Sequence, residues 1–385
     1  MGNCRCEIHF HNKEGEANLD NYNGSQAGVN SNKPLEIISE YSQLSSREKG
    51  AKLSKMKNNF KKNLPEIGEN LPIKEFQKLI SEDVDNYMKQ NKLNYRSYIP
   101  QNISTFQSDP IKFKNNNIYY GNWNENNQME GYGVYYINDR KILTEGVWYK
   151  GNIIFGRIFF SNGDIYEGGI KNSFPHGQGK MIFSNNEIYE GEFKNGEMSG
   201  NGKYIFSDNT EYNGQLENGY FNGRGKMKWD NGTEYEGNFD SSTLCGEGTI
   251  KNSQGDKYSG KFDKNEFNGE GIYYFNNGDE YNGNFEYGIK KGKGTYTRND
   301  NVIFEGIWND DLPNGNGIIF FGQNSMRGFW RNGDFVNSEN EEGNNEFDNI
   351  DKNIKPYKMS IFPNSLSHLS IVDSNVSQFI PANFT

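Results

Sequence analysis

A triplet of an aromatic residue, any residue and glycine returns along this chain at a fixed spacing. It stands at Tyr166-Glu167-Gly168, Tyr189-Glu190-Gly191, Tyr212-Asn213-Gly214, Tyr235-Glu236-Gly237, Tyr258-Ser259-Gly260, Tyr281-Asn282-Gly283 and Phe304-Glu305-Gly306, six consecutive intervals of 23 residues. Chance does not hold such a register, so the sequence has to fold as a repeat array. Weaker copies precede it at Tyr119-Tyr120-Gly121 and Thr144-Glu145-Gly146, and a truncated one follows at Met326-Arg327-Gly328.

Each unit repeats the same internal marks. Two residues past the glycine stands a large apolar side chain: Trp123, Trp148, Phe193, Phe239, Phe262, Phe285, Trp308 or Trp330, with Ile170 and Leu216 as substitutes. A Gly-x-Gly pair follows, as in Gly200/Gly202 and Gly269/Gly271, and then a second run such as Lys203-Tyr204-Ile205-Phe206. Three residues before each next aromatic comes Gly163, Asn186, Asn209, Gly232, Gly255, Gly278 or Asn301. Gly and Asn best tolerate the positive φ that hairpin turns require. Strand periodicity places Tyr189, Gly191 and Phe193 on one face and Glu190, Glu192 and Lys194 on the other. A glycine between two aromatics leaves room for a ring to lie over bare backbone. One hairpin cannot bury its aromatic face alone, so its stability comes from stacking on the next. Composition agrees, because 24 Tyr and 27 Phe carry most of the apolar area of a chain only 33% hydrophobic.

These residues resemble the MORN family, whose unit reads Tyr-x-Gly-x-Trp/Phe, then Gly-x-Gly, then an aromatic strand and Asp/Asn-Gly. Tyr189-Glu190-Gly191-Glu192-Phe193 and Tyr235-Glu236-Gly237-Asn238-Phe239 match its opening, and Asn231-Gly232 and Asn277-Gly278 its closing turn. The resemblance covers about 220 of 385 residues. The expected fold is all-β: an elongated single-layer array of about nine 23-residue antiparallel β-hairpins, preceded by a short helical or disordered N-terminal region. Two units depart from the pattern. The second has lost Gly-x-Gly (Phe155-Gly156-Arg157) and the tenth stops after Trp330, so the sheet is expected to be irregular or frayed there. The resemblance implies assembly, scaffolding and positioning at membranes or cytoskeleton. Heavy use of Asn and Lys is the mark of an AT-rich genome, and in such cells it extends to the cilium or cell cortex.

The flanks suggest domains at 1–70 (flexible, with an acylation signal and a basic patch), 71–92 (amphipathic helix), 93–115 (linker), 116–336 (array) and 337–385 (acidic, disordered Asn/Ser-rich tail). Gly2 fits a myristoylation site, although Cys6 stands where Ser or Thr is preferred, and Cys4 and Cys6 lie beside it as palmitoylation candidates. One acyl chain holds a membrane only marginally, whereas a second chain or a basic patch makes attachment stable. Arg47, Lys49, Lys52, Lys55, Lys57, Lys61 and Lys62 supply the patch. A zinc site from Cys4, Cys6, His9 and His11 is the weaker use of that start, because the spacings are tighter than those of zinc knuckles. Ile73, Phe76, Leu79, Ile80, Val84, Tyr87 and Met88 fall on one face of a helix beginning at Pro72, fit to cap the first repeat or to dock a partner.

Chemistry is sparse. Four histidines, no phosphate loop and no nucleophile elbow leave no basis for a catalytic, cofactor or metal site, and the expected protein is not an enzyme. Residues 119–336 carry 21 basic and 30 acidic residues, whereas residues 1–118 carry 17 and 14. That balance argues against nucleic acid and against direct phosphoinositide binding by the repeats, the alternative the resemblance allows. A non-catalytic subunit of a ciliary or cortical cytoskeletal complex is a further alternative. The leading expectation is a cytoplasmic scaffold tethered to the cytosolic leaflet by its acylated N-terminus. It would hold a helix or peptide of a protein partner in an aromatic groove of Tyr204, Phe206, Trp229, Tyr273, Phe275, Tyr296 and Phe321. An open terminal strand could also pair two copies as a homodimer.

Overall fold

The computed structural model describes residues 46–99 and 104–336, with side chains of the first helix described over 51–61. By its contacts the described chain falls into two units, one ending at Ser207 and one starting at Asp208. Strand pairing within each unit is antiparallel throughout.

In the first unit, helix α1 (Ser46–Ile67) leads into strand β1 (Gly68–Asn70), helices α2 (Ile73–Gln77) and α3 (Glu82–Gln90), and strands β2 (Phe106–Gln107) and β3 (Ile111–Phe113). The array follows as β4 (Ile118–Trp123), β5 (Met129–Ile137), β6 (Ile142–Tyr149), β7 (Asn152–Phe159), β8 (Ile165–Lys171), β9 (Phe174–Ile182), β10 (Ile188–Lys194) and β11 (Glu197–Ile205). The second unit holds β12 (Glu211–Glu217), β13 (Tyr220–Lys228), β14 (Glu234–Asp240), β15 (Thr243–Lys251), β16 (Lys257–Asp263) and β17 (Glu266–Tyr274). It continues with β18 (Glu280–Glu286), β19 (Ile289–Thr297), β20 (Ile303–Asn309), β21 (Leu312–Phe321), β22 (Asn324–Arg331) and β23 (Asp334–Val336).

All seven Gly/Asn positions chosen from the sequence have positive φ, from 64° at Asn301 to 106° at Gly255. A second turn inside each unit was hidden by its varied composition. Asn195-Gly196, Ser241-Ser242, Lys264-Asn265 and Asp310-Asp311 all place two successive residues at positive φ, the geometry of a two-residue type I′ hairpin. Opposed glycines fix the register. Gly191 faces Gly202, and Gly237 faces Gly248, with a bulge just after the first glycine of each pair. A Cβ at Gly191 would lie 2.5 Å from the Gly202 Cα, so only glycine permits this approach.

Four expectations are corrected or refined. The second unit is irregular as expected but not frayed: β6 and β7 pair from Leu143↔Phe159 to Tyr149↔Asn152 with Gly156 facing Gly146, and the register shift falls between Val147 and Trp148 instead of directly after the glycine. One retained glycine suffices for the close approach, with the Gly146 and Gly156 backbones face to face. The region taken as flexible to residue 70 is helical from Ser46, because Met56 and Phe60 bury their side chains, Phe60 against Phe106 and Trp123. The single helix expected over 71–92 is two. Ser81 caps α3 by accepting the Val84 N–H (3.3 Å), and Glu82, Asp83 and Asp85 then favour a fresh N-terminus. The supposed linker at 93–115 also contributes β2 and β3, which pair with β4 and cover the first edge of the array.

Candidate functional site

The aromatic face is an interior. Tyr189 folds back over its own glycine pair, so that a Cβ at Gly202 would meet the ring at 2.4 Å. Its hydroxyl donates to the Glu192 carbonyl (2.9 Å), as Tyr258 does to Lys261 (2.8 Å) and Tyr281 to Asn284 (3.1 Å). Burial pushes the Tyr189, Tyr258 and Tyr281 phenols above their ordinary range, so they stay protonated and serve as donors. Each ring also meets neighbours edge-on. In the second unit, Tyr212, Phe239, Tyr235, Phe262, Tyr258, Phe285, Tyr281, Trp308, Phe304 and Trp330 form an unbroken zigzag with centroids 4.9–5.5 Å apart.

The expected partner groove therefore does not exist as an open surface. Tyr204, Phe206, Trp229, Tyr273 and Tyr296 are buried, and Phe275 and Phe321 half-buried. The glycine column lets rings lie flat on backbone, so a single sheet layer closes over its own aromatics. Rings over bare glycine backbone were expected from the sequence; that they take up the second-strand aromatics as well was not.

What remains accessible is the opposite face. In the middle of the array it carries alternating charge, with Glu190 between Lys180 and Lys203. In the first repeats it turns apolar and is occupied by the chain's own helices. Phe76 lies with Ile118, Val134, Tyr136, Leu143 and Phe159 in one core, and Ile80, Val84, Tyr87 and Met88 pack on it, while Ile73 and Leu79 stay exposed. Tyr95 stacks on Tyr132 (4.6 Å) and Tyr98 on Phe155 (3.7 Å).

Arg157, only 2% exposed, ties this layer down. Its guanidinium donates to Glu145 (2.7 Å), to Glu167 (2.8 Å) and to the Asn91 carbonyl (2.8 Å) that ends α3. Its centre lies 5.3 Å from the Tyr87 ring. Burial pushes the Glu145 carboxyl up, while hydrogen bonds from Tyr132 (2.8 Å) and Arg157 oppose that rise. Arg157 stands at the outer-face position that Lys180 and Lys203 hold in later units, and this exchange of lysine for arginine makes the clamp on the N-terminal helices.

A second departure lies in the interior. Phe221, Leu244 and Phe267 fill one buried column, and Lys290 occupies its next position with 0% exposure. The ammonium is surrounded by the rings of Trp308 (4.9 Å), Tyr281 (5.5 Å), Phe275 (5.7 Å) and Tyr296 (5.7 Å) and has no hydrogen-bond partner among the described residues. Burial pushes it down to about 8, against the attraction of Asp311. A break in the apolar column 23 residues after Phe267 is the signal that would have found it.

Of the expected membrane contacts, Gly2, Cys4 and Cys6 lie outside the described residues, as do the side chains of Arg47, Lys49 and Lys62. Lys55, Lys57 and Lys61 are exposed on α1, away from its buried Met56 and Phe60. Lys52 is half-buried and 3.5 Å from Glu125. Among the described residues no group of His, Cys, Asp and Glu could hold a metal ion, and no helix is long and apolar enough to cross a membrane.

Stacked hairpins with a glycine-bedded aromatic interior define a repeat scaffold. The MORN repeat profile matches residues 119–140, 166–188, 189–211, 212–234, 258–280, 281–302 and 304–326. The chain belongs to the MORN repeat family. No curated protein matches the sequence. Among solved structures, the TCP10 domain of Danio rerio CPAP is 14% identical with a TM-score of 0.25, over 54% of this chain and 90% of that one. The Drosophila melanogaster SAS-4 TCP domain, in complex with a proline-rich motif of Ana2, is 14% identical with a TM-score of 0.21, over 45% and 82%. Scores this low carry no functional weight.

Proposed function

We propose that this protein is a non-catalytic MORN scaffold, held at a cytosolic membrane leaflet by its acylated N-terminus, that presents the non-aromatic face of its array to a protein partner. The use of that face by the chain's own helices carries the reading. Phe76 and Tyr87 seat a helical segment on the sheet, so the face takes up a helix without rearranging the aromatic interior. Helix α1 supports the membrane half. It buries Met56 and Phe60 and leaves Lys55, Lys57 and Lys61 in solvent, where each charge contributes about 1 kcal/mol at an anionic leaflet. The cilium and cell cortex are the proposed settings.

The test is membrane partition in a eukaryotic cell of the full chain beside Gly2→Ala and Cys4→Ala/Cys6→Ala. Sedimentation of the wild type with membranes and release of both variants supports the anchor. Three soluble proteins would remove it and leave a complex-bound scaffold. Membrane retention of both variants would instead favour direct lipid contact by the repeats or by α1.

A further inference from the structure

We propose that strand β22 is the docking edge for an extended segment of another protein, read in register as Gly-(Asp/Glu)-(Tyr/Met/Ile). This rests on the partner-binding reading above and assigns it a second, separate surface.

The motif follows from the repeat. In each complete unit the first strand's aromatic and glycine face an apolar residue and a glycine on the next strand. Tyr212 and Gly214 face Met227 and Gly225, and Tyr281 and Gly283 face Tyr296 and Gly294. Met326 and Gly328 occupy the same column on β22, and on their inner side they pair with Ile319 and Gly317. On the outer side β23 pairs only with Phe329, Trp330 and Arg331. Among the described residues, Asn324–Gly328 has no outer partner. Met326 is accordingly half-buried, whereas Tyr281 and Phe304 in the same column are fully buried. Unpaired strand edges of this kind accept added strands through main-chain hydrogen bonds.

The sequence that follows β23 lacks the residues this register asks for. In the preceding hairpins, the required glycine lies four residues after the partner of the Trp/Phe position, and the apolar residue lies six after it. Gly294 and Tyr296 follow Lys290, and Gly317 and Ile319 follow Pro313. Counting from Phe335, the partner of Trp330, those places fall to Glu339 and Glu341. The register asks for glycine at the first place and a ring or aliphatic chain at the second, and the sequence offers two carboxylates. Neither residues 1–45 nor 337–385 contain Gly-x-Tyr, Gly-x-Met or Gly-x-Ile. A second copy fails too. Its Gly-x-Tyr strands are already paired inside its own array, and facing Gly328 with its counterpart would set Met326 against a Trp330 that β23 already covers. The residue between glycine and apolar anchor lies opposite Arg327, as Lys203 lies opposite Glu190, and Arg327 is exposed. An acidic residue there completes the cross-strand pair.

The probe is an N-acetylated synthetic peptide copying residues 294–300 with Thr295→Glu, which lies opposite Asn324–Gly328 and clear of β23, titrated into the full chain by fluorescence anisotropy, with amide hydrogen exchange read over residues 324–328. The expected result is saturable binding with protection confined to that strand. Binding should weaken at least tenfold when the peptide's Gly294 is replaced by Val. Arg327→Glu in the chain should likewise weaken the Glu peptide and restore affinity to a peptide carrying Thr295→Lys. Absence of binding, or protection elsewhere, overturns the assignment. So does protection of 324–328 in the chain alone that grows with its concentration, since a second copy would then hold the edge. A cellular partner retained equally by the wild type and Arg327→Glu, with no peptide bound, would sink the edge while leaving the scaffold reading in place.

Discussion

Replacing Lys290 by methionine should stabilise the protein, and the amount can be worked from its surroundings. The ammonium is fully buried and lacks a hydrogen-bond partner among the described residues, and burial moves its pKa from an ordinary 10.5 down to about 8. A pKa unit corresponds to about 1.4 kcal/mol, so holding this group charged in the folded chain at neutral pH costs about 3 kcal/mol. Four ring faces already offset part of the desolvation, and methionine would forgo that gain while filling nearly the same volume. A net gain of about 2–3 kcal/mol is therefore expected near pH 7. The sign of the pH dependence follows from proton counts. Between pH 8 and 10.5 the unfolded lysine holds its proton while the folded one has lost it, so wild-type stability rises with pH across that window. About 2 kcal/mol of the penalty is recovered by pH 9.5. Urea unfolding, followed by tryptophan fluorescence at pH 6.5 and 9.5, measures both quantities. Lys290→Met should be more stable at pH 6.5 and should close most of the gap at pH 9.5. A variant no more stable than wild type, or one that keeps the wild-type pH slope, would refute the reasoning.

The glycine bed and the Arg157 clamp give two further expectations. Gly202→Ala places a methyl group 2.4 Å from the Tyr189 ring and should cost about 3 kcal/mol or more, read as a lowered urea midpoint at unchanged slope; a loss below 1 kcal/mol would contradict the packing described. Arg157→Met leaves Glu145 buried without its cation and should cost about 3–5 kcal/mol. Hydrogen exchange in that variant should accelerate first over residues 82–91, and uniform acceleration across the array would show that the clamp serves the sheet rather than the helices.

The array was legible because its determinants are local and recur. Positive φ at Asn186 or Gly255 demands one of two residue types, and the alternation of Tyr189, Gly191 and Phe193 marks a buried face whatever the partner strand. The turn at Lys264-Asn265 was not, because its geometry is imposed by the hairpin closing around it rather than by its residues. Long-range packing hid the rest. Helix α1 reads as a lysine-rich polar stretch until Phe60 finds Trp123, and Arg157 reads as a blemish until Asn91, 66 residues away in sequence, is brought to its guanidinium. The groove was misplaced for a geometrical reason: aromatics counted as surplus to a one-layer sheet are absorbed by the glycines beside them. Lys290 stood in the column of Phe221, Leu244 and Phe267, which the repeat marks taken from the sequence did not include.

The zigzag of rings from Tyr212 to Trp330 makes each hairpin answer only to the hairpins beside it. Tyr235 meets Phe239 of its own unit and Phe262 of the next at nearly the same distance, 5.2 and 5.1 Å, so the joint between units matches the joint within one. A gene segment encoding one whole period can then be lost or duplicated with both flanking joints remade in kind. The length of the scaffold is in this sense a heritable dial with one-repeat clicks, whereas a one-residue indel within a strand would set aromatics against the wrong face.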